Sequence, residues 1–167
     1  MSAKPIYQHF VNQAKKLNPR FLSMIIPSRW FSGGKGLDLF REEMLSDARI
    51  RSLVDYENFR DVFPGVDLAG GACYFLWDRD NPGKCMVTNH ANGQSISVER
   101  TLNEFPVFLR QNLAVSIVRK VQTVHKGTYL DAIVSSRKPF GIPTNYEPKE
   151  SGIPCYYIQR IGLKYAD

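Results

Sequence analysis

The sequence contains few of the residues that build disulfide frameworks or metal centres. Its three cysteines, Cys73, Cys85 and Cys155, are far apart, and none belongs to a Cys-x-x-Cys motif with a nearby pair of histidines. An odd number of cysteines without such spacing is typical of a protein that keeps its thiols reduced. We therefore expect neither a disulfide framework nor a metal site.

Long apolar runs are also missing. No stretch approaches the roughly 20 apolar residues that a membrane-spanning helix needs. The first ten residues, MSAKPIYQHF, lack the apolar segment of a secretory signal peptide. The sequence therefore predicts a cytoplasmic protein with no membrane partner.

The composition that remains is that of a basic globular domain. The chain has 167 residues, of which 43% are apolar and 12% aromatic, enough for one core of ordinary size. The 22 lysines and arginines outnumber the 16 acidic residues and give a net charge of +6. This charge favours a polyanionic partner but does not by itself identify one.

The first third of the chain alternates helical and extended patterns. Apolar residues recur at helical spacing in residues 6–17, and Asn18-Pro19 ends that helix. Residues 21–27, FLSMIIP, form a short and nearly continuous apolar run, which predicts a strand buried on both faces. A second helix is predicted at 37–47 and a second strand at 50–56. Helix, strand, helix, strand is the order of a parallel sheet with helical crossovers.

The next segment predicts an antiparallel hairpin. A third extended run at residues 69–78 is followed by the turn sequence DNPGK at 80–84 and a fourth strand at 85–89. Because the turn is short, the third and fourth strands are expected to be antiparallel neighbours. Residues 90–102 then predict a polar turn and a further short strand.

A change of composition divides the chain near residue 127. Before it, residues 106–124 have the spacing of a helix, with Arg110, Arg119 and Lys120 expected to point outward. After it, residues 135–154 are rich in proline, glycine and basic residues. We therefore predict one domain over residues 1–126 and a hinge with the start of a second region over residues 127–167.

One aromatic residue lies in a polar loop where a core residue is not required. The sequence NFRDVFPGVD places Phe63 and Pro64 after the second strand. Ligands of open parallel sheets bind where the carboxyl ends of the strands emerge. From the residues alone, Phe63 is as consistent with packing in the core as with stacking on a ligand.

Two longer runs, YQHFVNQAKKLNPRFLSMIIPSRWFSGGKGLDLFREEML and VDYENFRDVFPGVDLAGGACYFLWD, resemble a known enzyme family. They are similar to the second half of the catalytic domain of adenine-N6 DNA methyltransferases from restriction-modification systems. The resemblance covers roughly residues 4–145. It implies an α/β fold: part of a Rossmann-like methyltransferase sheet, mixed, with parallel strands plus an antiparallel hairpin and flanking helices.

The resemblance also implies roles for individual residues. The aromatic at the position of Phe63, with Pro64 beside it, stacks on the adenine that is extruded from the duplex. Phe10 and Tyr7 lie on the helix that contacts the S-adenosylmethionine cofactor, and Phe10 matches a position that packs on the cofactor's adenine. Phe10 also belongs to the apolar stripe of its helix, so core packing is an alternative.

Two motifs of the family do not occur in the chain. One is the glycine-containing loop that binds S-adenosylmethionine, and the other is the Asn/Asp-Pro-Pro-Tyr/Phe motif that holds the target amino group. The only Asn-Pro pairs are Asn18-Pro19 and Asn81-Pro82. We therefore expect a piece of a longer enzyme or a truncated reading frame, inactive alone and without a bound cofactor. Its partners would be DNA and either a second copy or the missing N-terminal half.

Basic residues in the predicted loops are candidates for DNA contacts. The GGKG sequence at 33–36 can hold an anion through its amides and Lys35, although nucleotide binding or a plain flexible turn are alternatives. The full set of candidates is Arg29, Lys35, Arg60, Arg137 and Lys138. The same residues would serve a stand-alone, non-enzymatic DNA-binding module, which would bind weakly and lose affinity steeply with salt.

Overall fold

The computed structural model of the protein describes residues 5–65, 70–105 and 107–124 continuously, and beyond them residues 127, 132, 147, 149–156 and 163–166. The chain forms two compact units, residues 1–124 and residues 125–167. In the second unit, two short antiparallel strands pair with each other: β6 (Ile153–Tyr156) and β7 (Leu163–Ala166). The functional roles predicted for the two regions stay predictions.

The first unit combines three helices with a five-stranded sheet. The helices are α1 (Tyr7–Lys16), α2 (Asp38–Ser46) and α3 (Asn112–Val124). The strands are β1 (Phe21–Pro27), β2 (Ile50–Tyr56), β3 (Ala72–Asp78), β4 (Cys85–Ala91) and β5 (Gln94–Arg100). Short 3₁₀ helices follow β1 at Ser28–Ser32 and β2 at Phe59–Asp61.

The sheet has the strand order β1-β3-β2-β4-β5 and is mixed. Strands β2 and β4 pair in parallel, whereas β3 runs antiparallel to both β1 and β2, and β5 runs antiparallel to β4. Helices flank this sheet, so the predicted mixed α/β class is confirmed and is consistent with a partial Rossmann-like methyltransferase sheet. The antiparallel hairpin is β4-β5, whose turn places Asn92 and Gly93 at φ values of 52° and 73°. Asn-Gly is the preferred pair for such a turn.

The prediction that the third and fourth strands are neighbours was wrong. Strand β3 lies between β1 and β2, and β2 separates it from β4. The connecting segment 79–84 crosses the amino end of β2, where Gly83 N donates to Ala48 O at 2.8 Å. Six residues easily span two strand spacings of about 4.8 Å each, so a short turn did not require adjacent strands.

The prediction that β1 is buried on both faces was also wrong. Strand β1 is at the edge of the sheet, and its residues alternate between exposed and half-buried. Phe21 is 54% exposed and Ile25 is 45% exposed, while Ile26 faces the core with 3% exposure. The continuous apolar run therefore does not correspond to burial within this chain.

The hydrophobic core covers one face of the sheet. Phe75, Trp77, Leu53 and Val87 point from that face toward the helices and are buried. They pack with residues of α1, α2 and the first 3₁₀ helix, among them Val11, Phe40, Met44 and Trp30. The opposite face carries half-exposed apolar side chains: Ile25, Tyr74, Leu76 and Met86. Among the residues that the structure describes, no helix is long and apolar enough to span a membrane.

Three strand ends meet at one edge of the sheet. Strands β1, β2 and β4 point in the same direction, because β1 and β2 are both antiparallel to β3 and β2 is parallel to β4. The loops that follow β1 and β2 therefore emerge at the same edge, which we call the carboxyl edge. Residues 28–36 and 57–65 lie there, although β3 separates β1 from β2.

Candidate nucleic-acid interface

The loop that carries Phe63 begins at the carboxyl end of β2. Asn58 starts its 3₁₀ helix, because the Asn58 side chain accepts a hydrogen bond from the backbone N–H of Arg60 at 3.2 Å. The N–H of Phe63 donates to the carbonyl of Phe59 at 2.8 Å. The local sequence thus fixes the backbone as far as Phe63, and Gly65 at φ 87° makes the turn that follows.

The side chain of Phe63 is open to solvent on this loop. It is 38% exposed, and Pro64 beside it is exposed as well. Phe63 does not belong to the cluster of buried apolar residues. The structure thus places an accessible aromatic face at the carboxyl edge. Its role in stacking on a base stays a prediction.

A buried ion pair holds together the elements behind this loop. Asp55, near the end of β2, is fully buried and lies between Ser28 and Arg110. The Ser28 hydroxyl donates to Asp55 Oδ1 at 2.7 Å, while Arg110 Nε and Nη2 reach Oδ2 and Oδ1 at 2.5 and 2.9 Å. One carboxylate therefore links the segment after β1, the end of β2 and the segment before α3.

The position of Arg110 corrects the sequence prediction. Arg110 was expected on the outward face of a helix, but α3 begins only at Asn112 and the preceding residues are not helical. Arg110 turns toward the sheet, because Asp55 would otherwise be a buried carboxylate without a cationic partner. The sequence did hold a signal for this site: an aspartate within the buried strand IRSLVDY needs a cationic or hydrogen-bonding partner.

Two asparagines fix the backbone beside Arg110. The amide of Asn89 on β4 donates to the carbonyl of Arg110 at 2.7 Å, and its oxygen accepts the N–H of Asn112 at 2.8 Å. The amide of Asn112 in turn donates to the carbonyls of Val87 and Ile96. The start of α3 is thus anchored to β4 and β5, which explains why the helix begins six residues later than predicted.

The electrostatics of this region are set by burial and by the ion pair. Burial alone would lower the pKa of Arg110, but the hydrogen bonds and charge of Asp55 raise it above its usual value. Burial raises the pKa of the neighbouring Cys73 thiol to about 12. Arg110 is therefore a permanent cation, while Cys73 is neutral and unreactive at physiological pH.

A groove of about 390 Å³ opens between the first 3₁₀ helix and the segment before α3. Arg110 forms part of its wall and remains 28% exposed despite its contact with Asp55. The guanidinium of Arg110 also lies over the ring of Phe31, 5.7 Å from its centroid. Of the residues that the structure describes, the lining contains no acidic one and consists of Ser28, Arg29, Phe31, Ser32, Gly70, Val107, Phe108 and Arg110.

The predicted DNA-contact residues occupy different environments. Arg29 and Arg60 are both exposed at the carboxyl edge, and neither forms an ion pair within the described part of the chain. The guanidinium of Arg60 lies 5.7 Å from the centroid of the Phe59 ring. Arg137 and Lys138 lie outside the described residues. The predicted roles of all four stay predictions.

The GGKG loop is occupied by an acidic side chain of its own helix. The N–H of Gly34 donates to Asp38 Oδ1 at 3.0 Å, and Arg41 Nη1 donates to the carbonyl of Ser32 at 3.1 Å. Lys35 is in the left-handed region with φ 51°. The carboxylate of Asp38 thus already accepts one loop amide, and the predicted contact of Lys35 with DNA stays a prediction.

The two residues predicted to contact the cofactor differ in exposure. Phe10 is 62% exposed, so it does not pack in the core of this structure. Tyr7 is half-buried and packs edge-on against Phe40, with ring centroids 6.0 Å apart. Burial raises the pKa of Tyr7 to about 12. Of the two, only Phe10 offers an open ring face to a ligand.

Comparison with known proteins finds a family that matches the first part of the chain. The model of the Eco57I restriction-modification methylase family matches residues 1–63, which include α1, β1, α2, β2 and the loop up to Phe63. The chain is similar to adenine methyltransferases. The resemblance to this family, predicted from the two sequence runs, is thereby confirmed.

A curated relative extends the similarity further along the chain. It is described as an uncharacterized adenine-specific methylase of Mycoplasma pneumoniae and is 29% identical over 137 residues. The alignment covers 80% of this chain but 32% of the relative. The chain thus spans about a third of the length of the adenine-specific methylase that it matches.

Proposed function

We propose that this chain is part of a DNA adenine-N6 methyltransferase of a restriction-modification system. In this proposal it contributes the loop that stacks on the target base and the loops that face the DNA, and it does not transfer methyl groups by itself. The observation that carries the proposal is the accessible ring of Phe63 at the carboxyl edge, on a backbone fixed by Asn58 and Phe59. The similarity to adenine-specific methylases supports it.

The chemistry of base modification explains why such a ring is needed. An enzyme that acts on the amino group of adenine must take the base out of the helical stack, which costs a few kcal/mol. Stacking on an aromatic side chain recovers about 1–3 kcal/mol per base. Phe63 would supply this stacking free energy, and Pro64 would restrict the conformation of the loop beside it.

The remaining parts of the reaction would come from a longer enzyme. S-adenosylmethionine would supply the methyl group, and the glycine loop and the Asn-Pro-Pro-Tyr type motif would bind the cofactor and orient the adenine nitrogen. Within this chain, the exposed ring of Phe10 fits a contact with the flat adenine of that cofactor. Tyr7 would support the helix that carries Phe10, because its own ring packs against Phe40.

The open edge of β1 is where we place the contact with the rest of the enzyme. Its apolar residues Phe21 and Ile25 are half-exposed, and the strand carries no charged side chain that would discourage pairing. Natural sheets usually protect such edges with charges, bulges or covering elements. A further polypeptide, either another part of a longer enzyme or a second copy, would bury this surface.

Base stacking can be tested with DNA that carries an extruded adenine. A labelled duplex with one adenine opposite an abasic site is compared with the same duplex lacking that adenine. We expect the full chain to bind the first duplex more tightly, and Phe63→Ala to lose about 5–100-fold in affinity for it. The same variant should bind the second duplex like the wild type, because no base is present to stack.

Two matched variants control this experiment. Phe63→Tyr keeps an aromatic face and should retain the preference for the adenine-bearing duplex. Phe21→Ala removes an exposed ring at the opposite edge of the sheet and should change neither affinity. If Phe63→Ala and Phe21→Ala behave alike with the adenine-bearing duplex, Phe63 does not hold the base.

Inactivity of the chain alone is tested separately. Incubation with radiolabelled S-adenosylmethionine and adenine-containing duplex DNA should transfer no label to the DNA. Transfer above the background of the protein-free reaction would mean that the chain contains its own cofactor and catalytic sites, and this part of the proposal would be abandoned.

A further inference from the structure

The groove beside Arg110 has features of an anion site that the base-stacking role does not use. Two guanidinium groups, those of Arg29 and Arg110, contribute to its lining, and no carboxylate of the described residues does. Arg110 is held in place by two hydrogen bonds to Asp55 and by a third contact, Nη2 to the carbonyl of Tyr56 at 3.3 Å. A cation fixed in this way is pre-organised to meet an anion from solvent.

Arg29 is the second cation of the groove, and unlike Arg110 it has no carboxylate beside it in the described part of the chain. Its side chain is exposed, and in the described part of the chain no acidic group lies within ion-pair distance of it. By contrast, Arg41 on the neighbouring helix faces Asp38 and donates to the carbonyl of Ser32. Arg29 is therefore the residue of the groove that can gain the most from an anionic ligand.

The groove and the Phe63 loop lie at the same edge of the sheet, because β1 and β2 point in the same direction. Arg110 contacts the carbonyl of Tyr56, the last residue of β2, while the N–H of Ser28 donates to the carbonyl of Gly71 at the start of β3. Strands β1 and β2 are two spacings apart, which is about 10 Å. One DNA strand that passes along this edge can therefore contact both the groove and the Phe63 loop.

We propose that this groove binds a backbone phosphate of the DNA strand from which the base is extruded. Arg29 makes the direct ionic contact, and Arg110, positioned by Asp55, provides a second cation on the wall. Rotating a nucleotide out of the helix requires its backbone to be held, and phosphate contacts serve that purpose. The inference rests on the proposed DNA-binding function and adds a site to it.

The test measures the affinity of the full chain for the duplex with adenine opposite an abasic site, between 50 and 200 mM salt. Arg29→Gln removes the charge without disturbing the buried ion pair. We expect it to weaken binding about 3–10-fold at 50 mM salt and to reduce the slope of log K against log salt by about 0.9, the value for one phosphate contact. Lys84→Gln is the matched control, because Lys84 is an exposed cation at the opposite edge of the sheet.

A second measurement identifies the phosphate. Neutral methylphosphonates replace single phosphates on either side of the extruded adenine, one position at a time. The wild type should lose affinity at a particular position, and Arg29→Gln should lose nothing further there. The groove is not a phosphate site if, at every position, the affinity lost through the methylphosphonate adds to the affinity lost through Arg29→Gln. The same conclusion follows if Arg29→Gln has the same salt slope as Lys84→Gln.

These outcomes are separate from those for base stacking. Suppose that Phe63→Ala loses the preference for the adenine-bearing duplex while Arg29→Gln keeps the wild-type salt slope. The groove then does not bind a phosphate, and the proposed function still holds. If Phe63→Ala keeps the adenine preference while Arg29→Gln has a reduced salt slope, the groove binds a phosphate but Phe63 does not stack on the base. If the wild type does not bind either duplex at 50 mM salt, both proposals fail.

Discussion

The ammonium group of Lys15 lies 2.9 Å from the carboxylate of Asp47, which connects the last turn of α1 to the residue after α2. Asp47 also accepts the indole N–H of Trp77 at 2.9 Å and the guanidinium of Arg49 at 2.7 Å. Three donors, from α1, β3 and the turn before β2, thus converge on one largely buried carboxylate. This cluster joins both helices to β3 on the covered face of the sheet.

The Asp47 cluster should make stability depend on pH in the acid range. Burial alone would raise the pKa of Asp47, but hydrogen bonds from Arg49, Lys15 and Trp77 hold it well below its usual value. A carboxylate with a lowered folded-state pKa stabilises the fold above its unfolded pKa of about 4 and loses that contribution as the pH falls further. Asp47→Asn should therefore cost about 2–3 kcal/mol at pH 7.

Urea denaturation of wild type and Asp47→Asn from pH 7 to pH 2.5 checks this prediction. The difference in unfolding free energy should be constant above about pH 5 and shrink at lower pH. Asp80→Asn serves as a control, because Asp80 contacts Arg79 and Arg20 at the surface. A difference that persists unchanged down to pH 2.5 would show that the charge of Asp47 is not what stabilises the cluster.

The buried pair of Asp55 and Arg110 should be essential for stability. Arg110→Gln leaves a fully buried carboxylate without its cation, which typically costs about 3–5 kcal/mol. The double variant Asp55→Asn with Arg110→Gln should recover part of this loss, since no unpaired charge remains. Chemical denaturation of the two variants measures both effects.

A surface pair provides the comparison for that experiment. Arg119 pairs with Glu104, but its side chain is 61% exposed. Arg119→Gln should cost no more than about 1 kcal/mol. If Arg110→Gln costs equally little, Asp55 must be satisfied in another way and the three segments are not joined by this ion pair.

Glycine at position 71 is required for two reasons. Its φ of 84° is in the left-handed region, and a Cβ there would collide with the carbonyl oxygen of Tyr56 and lie 2.8 Å from that of Glu57. Gly65 has a similar φ of 87°, but a Cβ there meets no atom of the described residues within 4 Å. We expect Gly65→Ala to cost about 1–2 kcal/mol and Gly71→Ala at least about 3 kcal/mol.

Thermal unfolding of the two glycine variants separates conformational strain from collision. In both variants alanine must adopt the left-handed backbone conformation, which lowers the stability by a similar amount. The difference in stability between the two variants therefore reports on the collision of the Gly71 Cβ with the end of β2. Equal losses of stability would indicate that the backbone near Gly71 can move aside. In that case the junction between β2 and β3 would be less tightly packed than its geometry implies.

The exposed edge of β1 should promote association of the isolated chain. Ile25 is 45% exposed on a strand without charged residues, so a second copy can pair there. Light scattering coupled to size exclusion should find association that increases with protein concentration, and Ile25→Lys should reduce it. Leu39→Lys is the control, because Leu39 is 75% exposed on α2, away from this edge. A wild type that stays monomeric at all concentrations would contradict the prediction.

The sequence alone determined the elements whose signals are local. The bounds of β1 and β2 follow from apolar runs closed by a proline or by polar residues, and the observed strands match the predicted ranges 21–27 and 50–56. The placement of Phe63 at the carboxyl edge followed from the alternation of helices and strands. The family resemblance likewise rested on contiguous runs of sequence.

Only the tertiary structure decided which segments meet. The insertion of β3 between β1 and β2 depends on pairing across the sheet, which a short turn does not specify. The contact of Asp55 with Arg110 joins residues 55 positions apart, and periodicity placed Arg110 on the wrong side. The apolar run of β1 fixed that it forms a strand, but whether both of its faces are covered depends on what else packs against it.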